Sequence, residues 1–307
     1  MKPLHIQRID DWVETILTIP KLFLLSNLSL GRPDSFSART DCVILGNGPS
    51  LKDFLRNHQA FLKGKAVFCV NNFVRTEAYT IVKPQYYVLA ATDYWLVEEK
   101  PGWQEERHLI FEELAAQTTW AMMLLVPVMA KKHTKWRQVI EQNPKIQIAY
   151  FNNTPVEGLR GFRRFCLNRG LGMPRPHNVL VASLSLVLMM RFRTIYITGA
   201  DHSWLKEIFV TDDNRVFLSQ KHFYDDHLQS DTYTSQARPM YAGPTKRERK
   251  LHEILQKFYY SFRSYWQLKE YAQAIGSRII NITPDSYIDA FERESLNELT
   301  VHDQSAT

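Results

Sequence analysis

Cys42-Val43-Ile44-Leu45-Gly46-Asn47-Gly48-Pro49-Ser50-Leu51 is a short apolar run of β type that breaks into a Gly-Asn-Gly-Pro-Ser turn, and a helix-like segment from Leu51 to Leu62 follows it. This is a strand–turn–helix unit of an α/β domain. Gly46 and Gly48 carry no Cβ, so the turn lets backbone lie against a phosphate or sugar. Pro49 suits a first helical turn, where its missing N–H costs nothing. Ser50 sets a hydroxyl beside the free N–H groups of the helix start, which favours an anion. A tight βα turn without any ligand reads the same way. The turn is not a dinucleotide fingerprint, because Leu51 stands where G-x-G-x-x-G needs its third glycine. No G-K-[ST] follows it either. A nucleotide is therefore expected, with NAD and a P-loop ATPase both disfavoured.

Outward from this unit a βα alternation begins at Asp41. Strands are expected at 42–46, 66–70, 86–90, 108–111, 123–126, 146–150, 194–198 and 278–282. Helices are expected around 50–62, 133–142, 179–190 and 248–275. The alternation predicts a Rossmann-like parallel sheet with helices on both faces. Binding then belongs at the carboxyl ends of the strands. The candidate nucleotide-binding residues there are Gly46, Asn47, Gly48, Pro49, Ser50, Asn71, Asn72, Thr92, Asp93, Gly199, Asp201 and Ser203. The chain divides into a helical extension (1–40), a nucleotide-binding core (41–203), an insertion (204–250) and C-terminal helices with a last strand that complete the core (251–307). The insertion is polar and irregular, which predicts a lid or acceptor-binding segment.

The 307 residues are 45% hydrophobic, enough for a sizeable core, and the net charge of +6 fits an anionic ligand or a membrane surface. The excess is too diffuse to imply nucleic acid. Three cysteines without paired spacing, Cys42, Cys69 and Cys166, read as buried thiols of a reducing cytosol. Ile16 to Leu30 is interrupted by Pro20, Lys21 and Asn27 and is too short to span a bilayer. It is apolar enough to pack on the domain or to lie on a membrane.

Two segments carry candidate chemistry. Thr194 to Thr198 runs into Gly199-Ala200-Asp201-His202-Ser203-Trp204, and Lys221-His222-Phe223-Tyr224-Asp225 lies in the insertion. His222 and His202 are the candidate general bases, since imidazole is easily held near neutrality. Asp212-Asp213-Asn214 superficially resembles a D-x-D metal motif, but no apolar strand precedes it, and a solvated loop fits better. No metal is expected. Arg160, Arg163, Arg164, Arg169 and Arg175, interspersed with glycines, read as a basic loop that is either solvated or holds a phosphate.

Together these motifs resemble the bacterial sialyltransferases of glycosyltransferase family 42, and the wider G-x-G-P-S-L group that includes flagellin-modifying glycosyltransferases and hydroxymethylpterin pyrophosphokinases. The family's G-N-G-P-S-L is matched by Gly46 to Leu51, and its nucleotide-contacting asparagine by Asn71. Its strand ending S-G-x-D is matched by Thr198 to Asp201, and its histidine beside an aromatic by His222-Phe223. His202, Ser203 and Trp204 replace the family's phosphate-assisting tyrosines, and Pro176-His177-Asn178 replaces its threonine-serine-glycine. The resemblance implies a GT-A-type fold and a CMP-activated donor such as sialic acid or a related ulosonate. It also implies inverting, metal-independent transfer to a cell-surface glycan, as in bacterial polysaccharide biosynthesis, with no cofactor beyond the donor. Expected partners are the nucleotide-sugar donor and a glycan acceptor, in the cytoplasm. Peripheral membrane contact through residues 10–30 and homo-oligomer formation stay open. The rival readings are an ATP-dependent pyrophosphokinase-like enzyme, with Asp93 and Asp201 on Mg²⁺, and a non-catalytic nucleotide-binding protein.

Overall fold

A computed structural model gives the structure of residues 4–35, 38–95, 105–219, 223, 237–242, 247–296 and 299. The chain opens with helix α1 (Leu4–Leu25), then strand β1 (Asp41–Leu45), α2 (Leu51–Asn57), β2 (Ala66–Val70), α3 (Ala78–Val82) and β3 (Tyr86–Val88). It continues through α4 (Glu105–Gln117), β4 (Met122–Pro127), α5 (Lys135–Ile140), β5 (Ile146–Phe151), α6 (Arg160–Asn168), α7 (Val179–Met189) and β6 (Thr194–Thr198). Three short strands follow, β7 (Ile208–Val210), β8 (Val216–Leu218) and β9 (Arg238–Pro239), with a ribbon of β10 (Tyr241–Ala242) and β11 (Arg247–Glu248). Helix α8 (Leu251–Ala274), β12 (Arg278–Asn281) and β13 (Glu292–Arg293) complete the order.

Eight of these strands form one parallel sheet in the order β13-β12-β6-β1-β2-β3-β4-β5. The fold is α/β, as the sequence predicts. Alternate residues of each strand enter different cores. Cys42, Ile44, Phe68 and Val70 pack towards α7 and α8, while Val43, Leu45, Val67 and Cys69 pack towards α2, α4 and α5. A sheet covered on both faces needs strands apolar on both faces, and β2 is buried throughout. Helix α7 is apolar on all sides because it lies between sheet and α8, with all residues from Leu180 to Met189 buried. Asn178 caps it, accepting the Val181 N–H at 2.9 Å. All three cysteines are buried free thiols.

The sheet order fixes where a ligand goes. The chain leaves β1 for β2 and works outward to β5, then returns across the molecule to lay β6 on the other side of β1. The direction of winding therefore reverses between β1 and β6. Such a reversal opens a crevice at the carboxyl ends of the two strands.

Three expectations are corrected. Residues 108–111 are not a strand but part of α4, where Ile110, Phe111 and Leu114 bury one side against Trp95 and Trp136 at helical spacing. The arginine-rich segment is not a loop, because Arg160 to Asn168 form α6. Arg160 and Arg163 there pair with Glu270 (3.2 and 3.1 Å), and Arg175 pairs with the buried Glu157 (2.6 Å). These three guanidinium groups have carboxylate partners from the protein. The insertion is not wholly irregular either. Its strands β7, β8 and β9 form an antiparallel sheet, and Val216 and Leu218 pack on Ile254 and Phe258 of α8. Asp212-Asp213-Asn214 is the turn between β7 and β8, where Asp213 accepts the Thr211 hydroxyl at 2.5 Å.

Candidate active site

The ends of β1 and β6 are built against each other. Gly46 donates its N–H to the Thr198 carbonyl and Gly48 to the Gly199 carbonyl, both at 2.8 Å. A Cβ on Gly46 would stand 2.4 Å from the Gly199 oxygen, and one on Gly48 would stand 1.9 Å from Asp201 Oδ2. Both glycines line the cleft described below, and the protein itself gives them a further reason. They let two strand-end turns pack backbone on backbone, and Gly199 answers from the other turn at φ +64°. Ser50 is reassigned. It donates its N–H (3.2 Å) and its hydroxyl (2.8 Å) to the Asp201 carboxylate. The anion at the start of α2 is the protein's own, although burial raises the Asp201 pKa against the help of Ser50.

Above these turns lies a cleft of about 500 Å³. Gly46, Asn47, Gly48, Pro49, Asn71, Asn72, Asp93, Gly199, Asp201, His202 and Ser203 line it, so the structure brings together most of the expected residues. Ser50 and Thr92 stand behind the lining. Ser50 is held by Asp201, and the Thr92 hydroxyl is turned to Asp93 at 3.5 Å.

Asn47 is over nine-tenths buried and donates its Nδ2–H to the Val70 carbonyl at 3.2 Å. Its buried Oδ1 has no hydrogen-bond partner among the described residues. A buried amide oxygen without a donor costs about 1–3 kcal/mol. Asn71 sits at the end of β2 with φ +51°, its carbonyl taking the Tyr87 hydroxyl. Val74 donates its N–H to the same Tyr87 oxygen at 2.9 Å, which fixes this corner.

His202 also has a left-handed backbone, φ +52°. Its ring lies 4.2 Å from that of Trp204, centroid to centroid, and its Nε2 meets the Tyr265 hydroxyl at 2.5 Å. Burial pushes its pKa down to about 3. So weak a base is poorly suited to take a hydroxyl proton. His222 lies outside the described residues. Its sequence neighbour Phe223 is buried against Phe73 and donates its N–H to the Asn47 carbonyl at 3.1 Å.

His177, Asn178 and Lys257 are among the lining residues that the sequence reading did not assign to the site. Lys257 of α8 is the one lining side chain among the described residues with a fixed positive charge. Burial lowers its pKa, Arg249 pushes the same way, and Asp93 opposes them. Its signal in the sequence was a lysine at the margin of the stripe Ile254, Phe258, Ser261 and Tyr265, all buried in α8. Among the described residues, no three His, Cys, Asp or Glu side chains gather as a metal cluster.

No protein-family model matches the chain, and no curated protein matches it. Among solved structures it is similar to the MAf glycosyltransferase from Magnetospirillum magneticum AMB-1, over 95% of its own length, with 11% identity and a TM-score of 0.45. The chain spans 41% of that protein.

Proposed function

We propose that the chain is a glycosyltransferase that takes a sugar, sialic acid or a related ulosonate, from a CMP-activated donor and passes it to a glycan acceptor with inversion. The observation that supports this best is the cleft at the β1/β6 reversal. It is floored by the Gly46–Pro49 turn and lined by Asn47, whose buried Oδ1 has no hydrogen-bond partner among the described residues. An acceptor in that place suits the amino group of a cytosine or a ribose hydroxyl. Asn71 lines the same cleft and holds the nucleotide with it.

In this reading Lys257, not the start of α2, meets the departing phosphate, because the carboxylate of Asp201 already occupies the helix start. An ammonium in a partly desolvated cleft can stabilise the leaving group without a divalent ion. His222 takes the proton from the acceptor hydroxyl. His202 orients the cleft wall through Tyr265 and Trp204.

A thermal-shift screen of CMP, CDP, UDP, GDP, ADP and ATP, with and without Mg²⁺, tests the reading. CMP should raise the melting temperature without Mg²⁺. Stabilisation by ATP alone, and only with Mg²⁺, would replace the reading by a pyrophosphokinase-like one.

A further inference from the structure

Helix α1 is seated on the body by its polar side. Among its described side chains Thr15, Thr18 and Leu22 are buried, and Asp11, Glu14 and Ser26 are half-buried on the same stripe. Thr15 Oγ1 accepts the Leu159 N–H at 2.9 Å, and Thr18 Oγ1 accepts the Glu157 N–H at 3.4 Å. The Ser26 hydroxyl bonds to the Leu171 carbonyl at 2.7 Å. A helix lying on a globular domain ordinarily buries its apolar face. Here that face is turned outward. Trp12 and Ile16 are more than half exposed, Phe23 is 69% exposed and Leu24 is 82% exposed. Contiguous exposure of this kind marks an interaction surface.

The charges around it select the partner. From Asp10 to Pro33 the sequence holds the exposed Lys21 and Arg32 against Asp10, Asp11 and Glu14, and these three acids are half-buried, with Glu14 Oε2 enclosed. Helix α6 lies alongside, since Leu22 packs with Cys166 and Phe162, and Gly31 touches Gly170. It adds Arg164 and the exposed Arg169, with the exposed Phe165 between them, while Arg160 and Arg163 are paired with Glu270. A second copy docked by twofold symmetry would set this cationic rim against itself. An anionic bilayer complements both the apolar face and the rim. No helix among the described residues is long and apolar enough to cross a membrane.

We propose that the outward face of α1, with the basic rim of α6, is a docking surface for an anionic phospholipid bilayer. Trp12, Phe23 and Leu24 enter the headgroup–acyl boundary, and Lys21 and Arg169 meet the phosphates. The proposal does not depend on which reaction the cleft performs.

Flotation of the full chain with vesicles tests it. Phosphatidylcholine vesicles containing phosphatidylglycerol should carry the protein, and pure phosphatidylcholine vesicles should carry at least about tenfold less. The triple variant Trp12→Glu, Phe23→Glu, Leu24→Glu should lose flotation while keeping the wild-type far-UV spectrum and melting temperature, because these side chains face outward. Lys21→Glu with Arg169→Glu should remove the preference for anionic vesicles. Wild-type protein that floats with neither vesicle, or equally with both, overturns the proposal. So does a wild-type dimer that fails to float and that the triple variant converts to monomer. Salt dependence of wild-type flotation keeps the test decisive should a variant misfold.

Discussion

At the scale of single residues, the turn that defines the fold is held by a residue far away in sequence. Asp201 lies 151 positions from Ser50, yet its carboxylate caps the start of α2 and fills the space a Gly48 side chain would need. Gly48→Ala should therefore act first on stability, costing about 1–3 kcal/mol as the carboxylate is displaced. Gly46→Ala should cost at least as much, since its Cβ would meet backbone at 2.4 Å instead of a movable side chain. Urea denaturation checks both. Wild-type stability of Gly48→Ala, with nucleotide binding alone lost, would return the glycine to the ligand. The turn was legible in the sequence as Gly-Asn-Gly-Pro-Ser. The packing reason for its glycines was not, because the atoms they avoid belong to the other strand end. His202 gives a second prediction. An unfolded histidine titrates near 6.5, whereas burial holds the native ring down to about 3. Between those values the unfolded chain binds the proton and the native one does not, so stability falls as pH drops from about 6.5 towards 3 and is unaffected above. His202→Asn, which tolerates the positive φ, should remove about one proton's worth of that slope, roughly 1.4 kcal/mol per pH unit. Chemical melts from neutral to mildly acidic pH measure it, and an unchanged slope would mean that the ring is protonated in the native state.

At the scale of elements, periodicity located the strands that carry the site, but two elements beside them were misread. His108 to Phe111 looks like a strand when read alone. Adding Leu114 and Thr118 shows the helical spacing, and both are buried in the structure. The arginines of α6 hid a helix because three of them fall within it and Gly158, Gly161, Gly170 and Gly172 lie in or around it. The carboxylates that meet Arg160, Arg163 and Arg175, Glu270 on α8 and Glu157 before α6, are distant or easily passed over in the sequence. Glu157 is the sharper case. It is buried, and it takes Arg175 at 2.6 Å and Arg263 at 2.7 Å, joining the segment before α7 to α8. Removing one member of such a cluster leaves buried charge unpaired. Glu157→Gln should destabilise the chain by about 2–4 kcal/mol, reduced from the fully buried case because both arginines are part-exposed. Restored stability in the triple change Glu157→Gln, Arg175→Met, Arg263→Met would assign the loss to unpaired charge instead of packing.

At the scale of the whole molecule, the cleft exists because the sheet reverses its winding between β1 and β6, and α8 returns from the far end of the chain to close it with Lys257. The strand ends and their polar residues could be read from the sequence. The closing wall could not, because nothing in the local pattern shows which turn of a long aromatic helix faces the crevice. Lys257 decides how the cleft balances charge. Asp93, Asp201 and Glu207 also line it, so a phosphate without a cation would enter a negative field. Lys257→Met keeps the chain length of the side chain and removes only the charge. Cytidine, which has no phosphate, should bind the variant as it binds the wild type, while CMP should lose about tenfold to a hundredfold, the range for a hydrogen bond to a charged group. Titration calorimetry with the two ligands on the two proteins separates a phosphate contact from a general change in the cleft. If CMP keeps its advantage over cytidine in the variant, the phosphate does not rest on α8. Equal loss for both ligands would show that Lys257 shapes the cleft without touching the phosphate.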